Sequence, residues 1–150
     1  MPQVYSATHV DAPPEEIFDF LADYHNIPRL QPHFETVKLV SEKERGVGAI
    51  VELRGHFHGI PMAGHNKIIA FSPPFRLVSI SDGNVLSRNT WEVRPLALPH
   101  PASEVSLSIE YKFKGGVTRI LAGVASPLLH GEIQEMTEEA LRRLHSIFAR

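Results

Sequence analysis

Polar and apolar residues alternate along most of this chain, and the alternation gives way to helical spacing in only a few stretches. From Gln3 to Val10 the period is two, with Val4, Ser6, Thr8 and Val10 on one face and Tyr5, Ala7 and His9 on the other. The run DAPPEEIFDFLADY then predicts a helix. Asp11 or Ala12 stands at the cap, prolines fill the first turn, and Glu15 and Glu16 complement the positive end of the helix dipole. Ile17, Phe18, Leu21 and Tyr24 form its apolar stripe, with Phe20 on a neighbouring one. Residues 26–30 read as a second short helix, bounded by Pro28 and Pro32.

From Phe34 the period returns to two. Val37 and Leu39 face one side and Lys38 the other. Residues 47–57 set Ala49, Val51, Leu53, Gly55 and Phe57 against Ile50, Glu52, Arg54 and His56, with His58 next on the second face. A turn near Gly59 leads to a strand over 61–71, Ser72-Pro73-Pro74 breaks the chain, and 75–81 is a further strand. Asp82-Gly83 is a hairpin signal, followed by a strand over 85–93 and a proline-rich loop over 95–101. The last strand, 104–113, sets Val105, Leu107, Ile109, Tyr111 and Phe113 against Ser106, Ser108, Glu110 and Lys112. Strands with one apolar face belong to an antiparallel sheet with one wet side. Gly115-Gly116 ends the sheet, and 117–124 reads as a short helix. Residues 126–150 carry the one long helical pattern: Ser126 at the cap, Pro127 at the first position, and Leu129, Ile133, Met136, Ala140, Leu144 and Ile147 in one stripe.

One long amphipathic helix and seven one-sided strands predict a two-layer α+β domain, the sheet curling around the helix. Small inward residues (Ser6, Ala49, Gly55, Gly64) leave a gap between the layers, and an apolar gap with a few polar groups is the usual form of a small-molecule site. At 150 residues the chain is expected to be a single domain over 1–150, as a monomer or a homodimer. A net charge of −2 argues against a nucleic-acid surface. The absence of cysteine excludes disulfides and thiolate catalysis and fits a cytoplasmic protein. No run is long enough for a membrane span, and the N-terminus lacks the pattern of a signal peptide.

The order of elements, together with THVDAPPEEIFDFLADYHNIPRLQPHFETVKLV, resembles the polyketide cyclase/dehydrase and lipid-transport family of the START-like (SRPBCC) superfamily. The points of likeness are Val10-Asp11-Ala12-Pro13, Leu21-Ala22-Asp23, Asn26-Ile27-Pro28-Arg29, Gly46-Val47-Gly48 and Trp91-Glu92-Val93-Arg94-Pro95. At Leu30, where many relatives place a tryptophan, this chain has an aliphatic residue. The resemblance implies a helix-grip fold: a curved seven-stranded antiparallel sheet around a long C-terminal helix, with two short helices between strands 1 and 2. The fold hosts enzymes, carriers and binding proteins alike, so function must be argued from the site.

Several residues are candidates for that site. Met62, Gly64, Asn66 and Ile68 share the inward parity, as do Asn89 and Trp91 with Val93, and Tyr111 with the core side of the last strand. Asn66, Asn89 and Tyr111 together could orient a carbonyl or hydroxyl of a ligand, with Trp91 and Met136 as apolar wall. Arg76 faces inward, opposite Asn89, if the Asp82-Gly83 loop has two residues. With three it faces out, and Phe75 and Leu77 take the interior. Tyr24, His25 and the Pro32-His33-Phe34 run border the expected opening, and His130 stands near the start of the long helix. His56, His58 and His65 share a face with Glu52, Arg54 and Lys67, which makes it the solvent side. With Arg54 opposite His65 and His56 opposite Ala63 they lie close together, and a bulge at Gly55 would turn His56 and His58 inward. No dinucleotide, Walker, nucleophile-elbow or HExxH motif is present, so no cofactor or metal is expected. The reading is a carrier or sensor of a hydrophobic, aromatic or lipid-like molecule. The alternatives are a cyclase/dehydratase-type enzyme using the same cavity and a protein-interaction module.

Overall fold

The structure, a computed structural model, describes residues 2–57, 59–83, 85–113 and 126–149, with backbone alone at 60, 113 and 126–129. Strand β1 (Gln3–Val10) is followed by α1 (Pro14–Ala22), a 3-10 turn (Tyr24–Asn26) and α2 (Ile27–Leu30). Strands β2 (Phe34–Leu39), β3 (Ile50–Phe57), β4 (Ile60–Ser72), β5 (Arg76–Asp82), β6 (Val85–Pro95) and β7 (Ser103–Phe113) come next, and helix α3 (Ser126–Ile147) closes the order. The short helix expected over 117–124, Gly115-Gly116 and His58 lie outside the described residues, as do the side chains of Ser126, Pro127 and Leu129.

All seven strands form one antiparallel sheet in the order β1-β7-β6-β5-β4-β3-β2. The period-two reading of β1 and β7 holds residue by residue: Val4, Val10, Val105, Leu107 and Tyr111 are buried, whereas Tyr5 and Glu110 are exposed. Helix α1 starts at the prolines, with Pro13 as the N-cap and Pro14 inside the first turn. Ile17 and Phe18 are its fully buried residues, and Phe18 meets Phe71 edge to face at 5.2 Å.

Helix α3 covers the β1 end of the sheet through Ala140, Leu141 and Leu144, all buried. Thr137, which the apolar stripe did not include, is 1% exposed and satisfies its hydroxyl by donating to the Ile133 carbonyl at 2.8 Å. The edge of β1 is closed by side chains of this helix. Gln134 Nε2 donates to the Tyr5 carbonyl at 2.9 Å while its Oε1 accepts from the Tyr5 N–H, so one amide stands in for a neighbouring strand. His145 adds a second link, donating from Nδ1 to the His9 carbonyl at 2.6 Å.

Glycine is required at two inward positions because backbone crosses them. A Cβ on Gly55 would land on the His33 carbonyl oxygen, which accepts the His56 N–H at 3.2 Å. A Cβ on Gly64 would meet Gly83 Cα at 2.5 Å, where the β5–β6 turn folds back over β4. Gly55 therefore leaves no void, contrary to the expectation from its size. The irregularity here lies in the partner strand and not at Gly55: Phe34 faces Gly55 and Thr36 faces Arg54, so Glu35 is the extra residue. His56 stays on the outer face, where Nδ1 meets Glu35 Oε1, and His65 lies within 4.0 Å of Glu52 and 3.9 Å of Asp82. The β3–β4 register puts Glu52 opposite His65 and His56 opposite Pro61, two residues from the expected pairing. A shift of two keeps every side chain on its predicted face.

Candidate functional site: a cavity between sheet and helix

The concave face of β3–β7, the α2–β2 segment and the N-terminal half of α3 enclose a cavity of about 190 Å³. Its shape follows from cross-strand pairing. One row across the sheet runs Asn66–Ser81–Ser87–Tyr111, the next Ile68–Ser79–Asn89–Ile109, and the third contains Leu77–Trp91–Leu107. All eleven residues face the cavity. Neighbouring strands are about 4.8 Å apart, so the first row sets polar groups along roughly 14 Å of floor. Two rows further on, the floor is apolar. Met136, Ile133 and Thr137 of α3 form the wall opposite, and Ile27, Gln31, His33 and Phe34 line the α2–β2 side.

Polar groups in the cavity are held by one another. Asn89 Nδ2 donates to Ser79 Oγ at 3.3 Å and to Ser87 Oγ at 3.2 Å. Tyr111 is buried, and its hydroxyl lies 2.7 Å from His130 Nδ1, a bond that ties β7 to the first turns of α3. Burial pushes the Tyr111 phenol above its ordinary pKa, so it remains protonated at neutral pH. His33, half-buried where α2 gives way to β2, is driven by desolvation down to about 4 and is a neutral imidazole. No Asp, Glu, Lys or Arg is among the described cavity-lining residues. No group of three His, Asp or Glu is placed to hold a metal ion among the described residues.

Five of the seven predicted site residues meet here: Asn66, Asn89, Trp91, Tyr111 and Met136. Two do not. Tyr24 lies in the 3-10 turn with its ring stacked on His25 at 4.1 Å, and Ile27 from the following turn reaches the cavity in its place. Arg76 is on the outer face, opposite Glu92, because Asp82 pairs with Leu86 and the loop is longer than two residues. Leu77 turns inward as the longer loop predicts, yet Phe75 does not, being 52% exposed. Ala140, in the same stripe of α3 as Met136, does not reach the cavity and is packed in the core. The sequence reading missed Ser79, Ser81 and Ser87, although Ser87 shares the parity of Asn89 and Trp91 on β6.

The family model for polyketide cyclase / dehydrase and lipid transport matches residues 1–146, and the chain belongs to that family. Its fold is the helix-grip fold, shared with several solved structures. A conserved protein from Geobacillus kaustophilus superposes with a TM-score of 0.79 at 12% identity, over 99% of this chain and 95% of that one. The ZhuI aromatase/cyclase from Streptomyces sp. R1128 gives 0.76 at 17% identity, over 99% and 94%. Ara h 8.0201 gives 0.67 at 13% identity, over 98% and 97%. No curated protein matches the sequence. Family and fold together suggest a hydrophobic-ligand-binding or polyketide cyclase-type domain. Among the described residues no helix is long and apolar enough to cross a membrane.

Proposed function

We propose that this chain binds a compact hydrophobic molecule, aromatic or lipid-like, in the cavity between sheet and α3, as a carrier or sensor. One observation carries the reading: the cavity joins an apolar floor and wall (Leu77, Trp91, Leu107, Met136) to a polar row (Asn66, Ser81, Ser87, Tyr111) within one enclosure. An apolar site with a few placed polar groups is the general form of a small-molecule pocket. The volume of about 190 Å³ is below the ~300–1,000 Å³ of drug-sized sites, which favours a ligand of one or two rings. Native mass spectrometry of the protein purified from its own cells tests this. A retained small molecule supports the reading. Its repeated absence, with no thermal shift from a library of aromatic and lipid compounds, counts against it.

The second reading is a cyclase/dehydratase-type enzyme, favoured by the Tyr111–His130 pair. A phenol kept protonated by burial and bonded to an imidazole can donate a proton to a ligand carbonyl. Turnover of a cyclisable polyketone by the protein, lost in Tyr111→Phe with ligand affinity retained, would favour this over the carrier role.

A further inference from the structure

Asn89 on β6 lies directly across from Ser79 on β5 and two residues beyond Ser87 on its own strand, so all three side chains emerge together on the cavity face. An amide nitrogen carries two protons, and Asn89 Nδ2 uses one on each serine oxygen. Each hydroxyl then has a lone pair occupied and must aim its own proton elsewhere. Among the described residues neither serine proton has an acceptor. The cavity is therefore equipped with two hydroxyl donors, each already accepting from the amide between them.

The surroundings limit what those donors can take. One row along, Leu77, Trp91 and Leu107 present a flat apolar surface. An anionic ligand would meet no cationic lining residue among those described, and His33 is held neutral. Burying an unpaired carboxylate is costly, whereas a neutral carbonyl loses little when it accepts two hydrogen bonds. Resting on the reading that the cavity holds a ligand, we infer that Ser79 and Ser87, oriented by Asn89, form a carbonyl-oxygen subsite, and that the ligand is a neutral aromatic ketone or quinone rather than a carboxylate or a hydrocarbon.

The test uses three probes of one skeleton, 1-tetralone, tetralin and 1-tetralincarboxylate, with dissociation constants taken from protein NMR titrations at pH 7.5. Tetralin is the most readily driven from water, so burial alone would rank it first. The subsite reverses that order: 1-tetralone is expected to bind at least tenfold more tightly than either of the others. In Ser79→Ala/Ser87→Ala the ketone should lose about tenfold while tetralin is unchanged. Asn89→Asp, whose carboxylate would draw both serine protons onto itself, should lose the ketone similarly with both hydroxyls still in place. Ser87→Ala alone, at a half-exposed position, serves if the double variant loses its native circular dichroism. Equal affinity for ketone and hydrocarbon in the parent protein overturns the subsite, as does a ketone preference that survives these substitutions. Should no probe bind to the folded protein, the cavity reading itself fails and the subsite falls with it.

Discussion

The hydroxyl of Tyr111 on β7 lies 2.7 Å from Nδ1 of His130 on α3, and it joins the two layers where the cavity separates them. Further along, α3 is held to the sheet by buried Ala140, Leu141 and Leu144. At the His130 end Met136 and Ile133 face the cavity, and the polar bond adds a link between the layers there. Tyr111→Phe removes that bond with little change in shape. It should cost about 0.5–1.5 kcal/mol in denaturant unfolding. It should also raise amide exchange around His130 more than around Leu144. Equal protection in both places would show that the pair does not fasten the helix.

His33 makes stability depend on pH. Its folded pKa of about 4 lies below the ordinary 6.5, so between these values the unfolded chain holds the extra proton and the folded one does not. Stability is full above pH 6.5 and falls as pH drops toward 4. The loss is at most about 3 kcal/mol at 1.36 kcal/mol per unit, and less for a half-buried ring. Asp23, lowered first by its hydrogen bond from His25, loses its contribution only below its ordinary 3.8, outside this window. Urea unfolding of His33→Gln should show a much flatter profile between pH 7 and 4.5. An unchanged slope would place the titration elsewhere.

Gly55 has no room for a side chain, since its Cβ position is taken by the His33 carbonyl oxygen. Gly55→Ala should cost at least about 2 kcal/mol, toward the upper end of overpacking penalties. It should also disturb the α2–β2 side of the cavity. Melting temperatures of Gly55→Ala and of Gly48→Ala separate close approach from backbone strain, because Gly48 has a positive φ of 96° but no neighbouring atom within 4 Å.

Gln134 covers the free edge of β1 at Tyr5. Replacing it with alanine leaves the Tyr5 N–H and carbonyl open to another chain. The expected results are a loss of about 1 kcal/mol and concentration-dependent self-association in sedimentation. A variant that matches the parent at all concentrations would show that the edge is protected by other means.

Which face a side chain occupies was legible in the sequence; which residue it stands opposite was not. Asn66, Asn89, Trp91 and Tyr111 reach the cavity because a strand's side chains alternate strictly, so a register wrong by two on β3–β4 moved none of them to the other face. Arg76 shows the other side of this rule: the length of the loop at Asp82-Gly83 decided its orientation, and the dipeptide did not reveal that length. The cavity serines were hidden because a serine in a strand reads as solvent-facing, whereas here each lies in a row with another polar residue. Thr137 was missed for a related reason, since its bond to the Ile133 carbonyl lets a polar residue sit in an apolar stripe.

Trp91 is the only tryptophan in the chain and lines the cavity, so its indole N–H gives a single resonance that reports on occupancy. Titration with 1-tetralone, followed by ¹H–¹⁵N NMR, shows whether the cavity takes a ligand. The expected result is a saturable shift of the Trp91 indole peak, accompanied by the Ser79, Ser87 and Asn89 amides and not by those of the outer-face residues His56, His65 and Arg76. A Trp91 resonance that stays still across neutral aromatic and lipid-like compounds, with the protein folded throughout, would contradict it.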